Sequence, residues 1–359
     1  MSGTAGAEDG RAAGDEPEHP LPPARLTHAL LVFLTLVFLG EMLFPAGRRE
    51  DWFSPSVQTL IGWGGMSRPL VLDKGEWFRL LTAAFLHGGP IHLLMNGFAL
   101  LIAGSALEAL IGRLWLAALF LLGALGGGLA SVHLNDANIV GVGASGAIMA
   151  LFGFFLTIAF RFEKGPVRRA FLGNSLGALI PSLLPGLIPA SGLQIDYAAH
   201  AGGAALGALV GLVFLLIWRP DSRYPPGRWL AAVIVLAATG LVASGLPRLA
   251  SGFAEARFIG SLMPDSEAPK TDDAARNRAD EIIRLYPEDP RGHFYKALVR
   301  SAANDAAGTA TEIARAVELA ERYPGIFLEQ FRMTLRAVQA LALRDLRREA
   351  EARAAAAPV

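Results

Sequence analysis

Seven apolar stretches, each close to the length of a bilayer crossing, constrain this chain more than any other feature. They run from about His28 to Phe44, Ile91 to Ile111, Leu114 to Leu134, Ile139 to Phe160, Phe171 to Ile188, Tyr197 to Trp218 and Trp229 to Leu246. A hydrocarbon layer of ~30 Å needs about 20 residues at ~1.5 Å per residue, and only a helix satisfies its own backbone there. The expected class is all-α: a polytopic membrane bundle of six helices plus a seventh, followed by a soluble helical domain. Composition agrees, with 53% hydrophobic and 18% charged residues among 359. Net charge is zero and no arginine-lysine block is present, which excludes a whole-chain argument for nucleic acid. There is no cysteine, and so no disulfide or thiolate chemistry.

Residues 1–24, small, acidic and proline-containing, read as a disordered cytoplasmic tail and not as a cleaved signal. Basic residues are placed asymmetrically. Arg113 precedes the third run, Arg161, Lys164, Arg168 and Arg169 follow the fourth, and Arg219, Arg223 and Arg228 follow the sixth, while the loops after the third and fifth hold none. By the positive-inside rule the N-terminus is cytoplasmic and, after seven crossings, the C-terminal region lies outside. The loop from Pro45 to Pro90 departs from the pattern with Arg48, Arg49, Arg68, Lys74 and Arg79. Its Trp52, Trp63 and Trp77 suggest a folded element in the outer interface. The fifth run carries Pro181, Pro185 and Pro189 near its end, where a kink or early stop is expected.

From about Asp265 the chain becomes charged and alanine-rich. Two segments align at an offset of 37 residues, pairing Ala279 with Ala316, Glu281 with Glu318, Tyr286 with Tyr323, Pro287 with Pro324, Phe294 with Phe331 and Leu298 with Leu335. Helix, proline turn, helix at that period resembles tetratricopeptide-type repeats, whose usual role is to hold a protein or peptide partner; a generic four-helix unit is the alternative. The expected domains are 25–220 for the six-helix core, 221–250 for the seventh helix and its flanks, 251–264 for a linker and 265–355 for the soluble domain.

Polar residues interrupt the apolar runs at three places. His92 and Asn96, four apart in "HGGPIHLLMN", share a helix face, with His87 just outside. Ser145, in "VGVGASGAIMA", is expected about six residues into a helix starting at Ile139, and His200 stands near the start of the sixth run. All three starts face the same side. A neutral histidine is the usual base for a serine nucleophile, and such a pair still needs donors for the developing oxyanion. His92, Asn96 and the Ser145 N–H are candidates for that role. Gly143 and Gly146 leave room for close backbone approach, and Gly203 and Gly207 repeat at the spacing of a tight helix seam, which would carry Ser145 to His200. Asp196, four residues before His200, is expected at the surface, and Glu41 and Glu108 as interfacial or structural groups. There is no H-E-x-x-H and no aspartate pair in the spans.

Taken in order, "EWFRLLTAAFLHGGPIHLLMN", "GSALEALIGR", "GASGA" and "AHAGGAALG" resemble the motifs of the rhomboid family of intramembrane serine proteases, over about Arg25 to Arg219. The resemblance implies Ser145 as nucleophile, His200 as base and then acid, His92 and Asn96 as oxyanion donors, and His87 in ordering or hydrating the site. It further implies a structural role for Trp77 and Arg79, no cofactor, and single-span membrane proteins as substrates within the lipid bilayer. Two positions depart from the family pattern: Phe78 splits the usual Trp-Arg pair, and Met149 stands four residues after the serine, where an aromatic ring often packs under the histidine. The alternatives are a rhomboid-like protein that binds membrane clients with little or no cleavage, and a metal or proton transporter using His87, His92 and His200.

Overall fold

The computed structural model describes residues 24–47, 52–184, 195–323 and 325–356. Expectations for the N-terminal tail, Arg48, Arg49, Pro185, Ile188, Pro189 and Pro324 fall outside these residues. The membrane core contains α1 (Arg25–Leu43), two short loop helices, α2 (Val57–Trp63) and α3 (Arg79–Thr82), then α4 (Pro90–Ile111), α5 (Arg113–Leu134), α6 (Ser145–Ile158), α7 (Pro166–Leu183), α8 (Tyr197–Ile217) and α9 (Arg228–Ser261). Helices α10 (Asp272–Leu285), α11 (Pro290–Ala302), α12 (Ala306–Glu321), α13 (Glu329–Asp345) and α14 (Glu349–Ala356) follow. No strand is assigned among the described residues, whose single β-type contact is an isolated bridge between Met66 and Gly141. Helices α1, α4, α5, α8 and α9 are long and apolar enough to cross a membrane. The protein is therefore a multi-pass membrane protein.

Helix α6 is shorter than expected. It starts at Ser145 and not at Ile139, because Gly141 and Gly143 are hydrogen-bonded to the first loop instead of into a helix. Gly141 exchanges both backbone hydrogen bonds with Met66 (3.1 and 2.8 Å), and the Gly143 N–H donates to the Ala83 carbonyl (2.9 Å). Gly143 sits at φ +122°, a conformation side-chain-bearing residues rarely adopt. Ser145 is thus the first helical residue and not a residue two turns in.

Nearly every residue of α6 is buried, and α8 lies directly on it. A Cβ on Gly203 would fall 2.0 Å from the Gly146 carbonyl oxygen, one on Gly207 1.9 Å from that of Ala150, and one on Gly153 2.1 Å from that of Ala204. These are backbone-to-backbone contacts that only glycine permits. Glu108, buried near the end of α4, ties α1 into the bundle. Its carboxylate accepts from the N–H groups of Leu26 (2.9 Å) and Thr27 (2.8 Å) and from the Thr27 hydroxyl (2.9 Å). A carboxylate there satisfies first-turn donors and meets the positive end of the helix dipole, so Glu108 is structural.

The first loop is folded around Arg79, which is 1% exposed. Its guanidinium donates to the carbonyls of Ile61 (2.7 Å) and Gly65 (2.9 Å) and pairs with Glu76. The residue splitting the Trp-Arg pair has a place of its own: Phe78 is buried, with Gly245 of α9 against its ring, while Trp77 is 43% exposed.

Residues 251–261, expected as a linker, continue α9 as helix. Pro247 interrupts one backbone bond without ending the helix, because the following turns gain packing: Phe253 and Ala256 lie against Gly62 of α2, and Gly260 meets the backbone of Gly47. Phe258 then stacks on Tyr323 at 4.8 Å. The C-terminal half of α9 therefore rests on the first loop, on the side where α4, α6 and α8 begin. In the domain beyond, α10 with α11 and α12 with α13 form successive helix pairs, and the matched Ala279 and Ala316 are both buried.

Candidate active site

Ser145 is half-buried at the first position of α6. A helix leaves its first N–H groups without intrahelical partners and carries a partial positive charge at that end, so the Ser145 N–H is an available donor. The residue borders a cavity of about 30 Å³ shared with Met66, Gly127, Gly143, Asp196 and Ala199. That is room for about one water molecule.

His200 lies in the first turn of α8 and is buried. Its helix is anchored by Asp196, which is only partly exposed and not the free surface group expected. The Asp196 carboxylate caps α8 by accepting the Ala199 N–H (2.8 Å), and takes the Ser131 hydroxyl (2.6 Å) and the Asn135 amide (2.8 Å) from the end of α5. The signal was available: aspartate directly before an apolar helical run is a cap pattern.

The His200 Nδ1 lies 2.9 Å from the backbone carbonyl oxygen of Ser182, in the last turn of α7. A carbonyl only accepts, so Nδ1 carries the proton and, in the neutral ring, Nε2 keeps its lone pair. The seam sets the approach to Ser145: a Cβ on Gly146 would sit 3.4 Å from the Ala199 carbonyl oxygen. The residue after the serine thus touches the residue before the histidine.

On the other side, the His92 ring lies over Gly143. A Cβ there would be 2.6 Å from its Cε1, 2.7 Å from its Nε2 and 3.5 Å from the Asn96 Nδ2. Asn96 is buried, and its Nδ2 donates to the His87 Nε2 at 3.1 Å. His87 must then hold its proton on Nδ1, a buried atom with no hydrogen-bond partner among the described residues. Burial, with His92 as a second cause, pushes the His87 imidazole down to about 3. Behind it stands Glu41, expected only as an interfacial or structural group. Glu41 is fully buried on α1, with both carboxylate oxygens 3.4 Å from the His87 backbone N–H. Met149 is buried in the main apolar core one turn beyond Ser145.

Residues 74–217 match the family profile described as Rhomboid domain. The chain is 32% identical over 158 residues to the putative rhomboid protease YdcA of Bacillus subtilis, covering 43% of this chain and 75% of that protein. This chain belongs to the rhomboid family. It is 33% identical over 214 residues to RHOMBOID-like protein 5 of Arabidopsis thaliana (57% of this chain, 65% of the relative). It is also 29% identical over 215 residues to the rhomboid protease AarA of Providencia stuartii (54% and 73%). The chain spans 65%, 48% and 46% of the length of three Arabidopsis rhomboid-like relatives. The rhomboid match ends at Ile217, so α9 and the helices after it lie beyond it.

Proposed function

We propose that this rhomboid is an intramembrane serine endopeptidase using a Ser145–His200 dyad. One observation carries the reading: the bond from the His200 Nδ1–H to the Ser182 carbonyl leaves Nε2 as a base on the helix pressed against Ser145. In this scheme the Ser145 hydroxyl attacks the scissile carbonyl carbon and its proton passes to His200 Nε2. The tetrahedral oxyanion is met by the Ser145 N–H, His92 and the free N–H of the Asn96 amide. His200 then protonates the leaving amine, and the acyl-enzyme is released by a water deprotonated at the same Nε2. The substrates are single-span membrane proteins whose helix unwinds near the cut, and the C-terminal helix pairs act as a tetratricopeptide-like unit holding a protein or peptide partner. With α6 and α7 counted among seven crossings, the basic residues of the loops beside Arg113, Arg161 and Arg219 support a cytoplasmic N-terminus and a C-terminal domain outside.

A fluorescent transmembrane substrate incubated with the purified protein tests this. The parent cleaves it, and Ser145→Ala and His200→Ala lose cleavage; equal cleavage by Ser145→Ala would sink the assignment.

A further inference from the structure

The opposite end of the bundle from Ser145 holds a second built feature. Arg161, just past α6, donates to the carbonyls of Trp218 (2.7 Å), Arg219 (2.8 Å) and Pro220 (3.4 Å), and its guanidinium lies 4.2 Å from the Trp218 ring centroid. The Trp218 indole N–H donates to the Ser222 carbonyl (2.9 Å), and the Ser222 hydroxyl to the Tyr224 carbonyl (2.8 Å). The turn after α8 is therefore folded back on itself and held to α6. Beside it is an open groove of about 720 Å³. Leu110, Leu215, Leu216 and Ile217 supply an apolar wall, and Arg219 and Arg223 stand at the rim. Leu216 is 86% exposed, which suits contact with acyl chains and not with water. Phe160 also lines the groove, and the Arg168 guanidinium lies 4.4 Å from its ring centroid, adding a third cation nearby.

We propose that this groove binds an anionic phospholipid, with the phosphodiester between Arg219 and Arg223 and an acyl chain along Leu215 and Leu216. Three features favour that occupant. Arg161 already occupies the turn carbonyls just past the end of α8, whose partial negative charge would otherwise oppose an anion. The exposed Asp221 of the same turn is not among the lining residues. An apolar wall meeting a basic rim at the end of membrane helices matches a lipid's own division into chain and phosphate, and basic pockets between such helices take anionic headgroups. A free phosphate would leave the wall unused. The inference is independent of peptide-bond cleavage.

Native mass spectrometry of the detergent-solubilised full chain tests it, using dioleoylphosphatidylglycerol, dioleoylphosphatidylcholine and glycerol 3-phosphate as probes. The parent retains the glycerol lipid in preference to the choline lipid, and Arg219→Gln with Arg223→Gln weakens that retention by about fivefold for each arginine removed. Lys164→Gln with Arg169→Gln removes the same charge from the neighbouring turn and the start of α7, and leaves retention unchanged. All four residues are exposed, and equal thermal unfolding of the variants establishes that they fold. Equal retention of the two lipids overturns the proposal. So does an equal loss in both double variants, which makes it general surface charge, and so does displacement of the lipid by glycerol 3-phosphate, which makes it a soluble-anion site.

Discussion

At the scale of single residues, the site is organised by groups that orient histidines through backbone. Among the described residues the Ser182 carbonyl, and no carboxylate, lies at the Nδ1 of His200 and sets the tautomer. Asn96 is likewise held by His87, which is held from behind by Glu41. In the proposed mechanism Asn96→Ala removes one oxyanion donor, so kcat falls by about 10²–10³ with KM little changed. Steady-state cleavage of the transmembrane substrate measures this. His87 also gives a pH effect of definite sign. Its ordinary value of 6.5 is lowered to about 3 in the fold, so the unfolded chain binds the proton that the folded chain refuses. Stability therefore falls as pH drops from about 6.5 towards 3. His87→Gln, though less stable at neutral pH, has a shallower fall in Tm between pH 7 and pH 4.5; an unchanged slope counts against this account.

At the scale of elements, the α6–α8 seam does the positioning. Helices in lipid gain little from apolar burial against each other, so close association rests on small residues that let backbones touch. Gly203 and Gly207 meet carbonyl oxygens at distances that forbid even a methyl group. Gly207→Ala is expected to force the helices apart, destabilise the protein by about 1–3 kcal/mol and lose activity through misplacement of His200. Thermal unfolding in detergent, read beside cleavage, checks both parts. The glycine spacing announced this seam in the sequence. The start of α6 was not announced: the apolar pattern runs on through Ile139 and Val140, and only the contacts of Gly141 and Gly143 with the first loop hold that stretch out of the helix.

For the whole molecule, the long α9 couples the bundle to the C-terminal domain. Its second half packs on the first loop through Gly62 and Gly260, and Phe258 docks on Tyr323. In the seven-crossing arrangement proposed above, the C-terminal domain and first loop share one side of the membrane, and the turn before α7 and the groove beside Arg219 belong to the other. The chain has no cysteine, so single substitutions report sidedness directly. In the proposed orientation, Lys74→Cys and Lys270→Cys are expected to label with a membrane-impermeant thiol reagent on intact cells, and Lys164→Cys only after permeabilisation. Labelling of positions 74 and 270 from opposite sides would contradict the packing of α9.

The sequence by itself determined the membrane class, the succession of apolar helices, the change to soluble composition near Asp265 and the polar residues worth asking about, because each depends on composition or spacing along the chain. Even the cap at Asp196 and the seam at Gly203 are local patterns of that kind. Tertiary structure alone decided where α6 begins, that residues 251–261 are helix, that Glu41 stands behind His87 and that a carbonyl of α7 faces His200. Each of these depends on contacts between distant segments, and a backbone carbonyl is the same at every position, so no residue name could mark the one that orients the histidine.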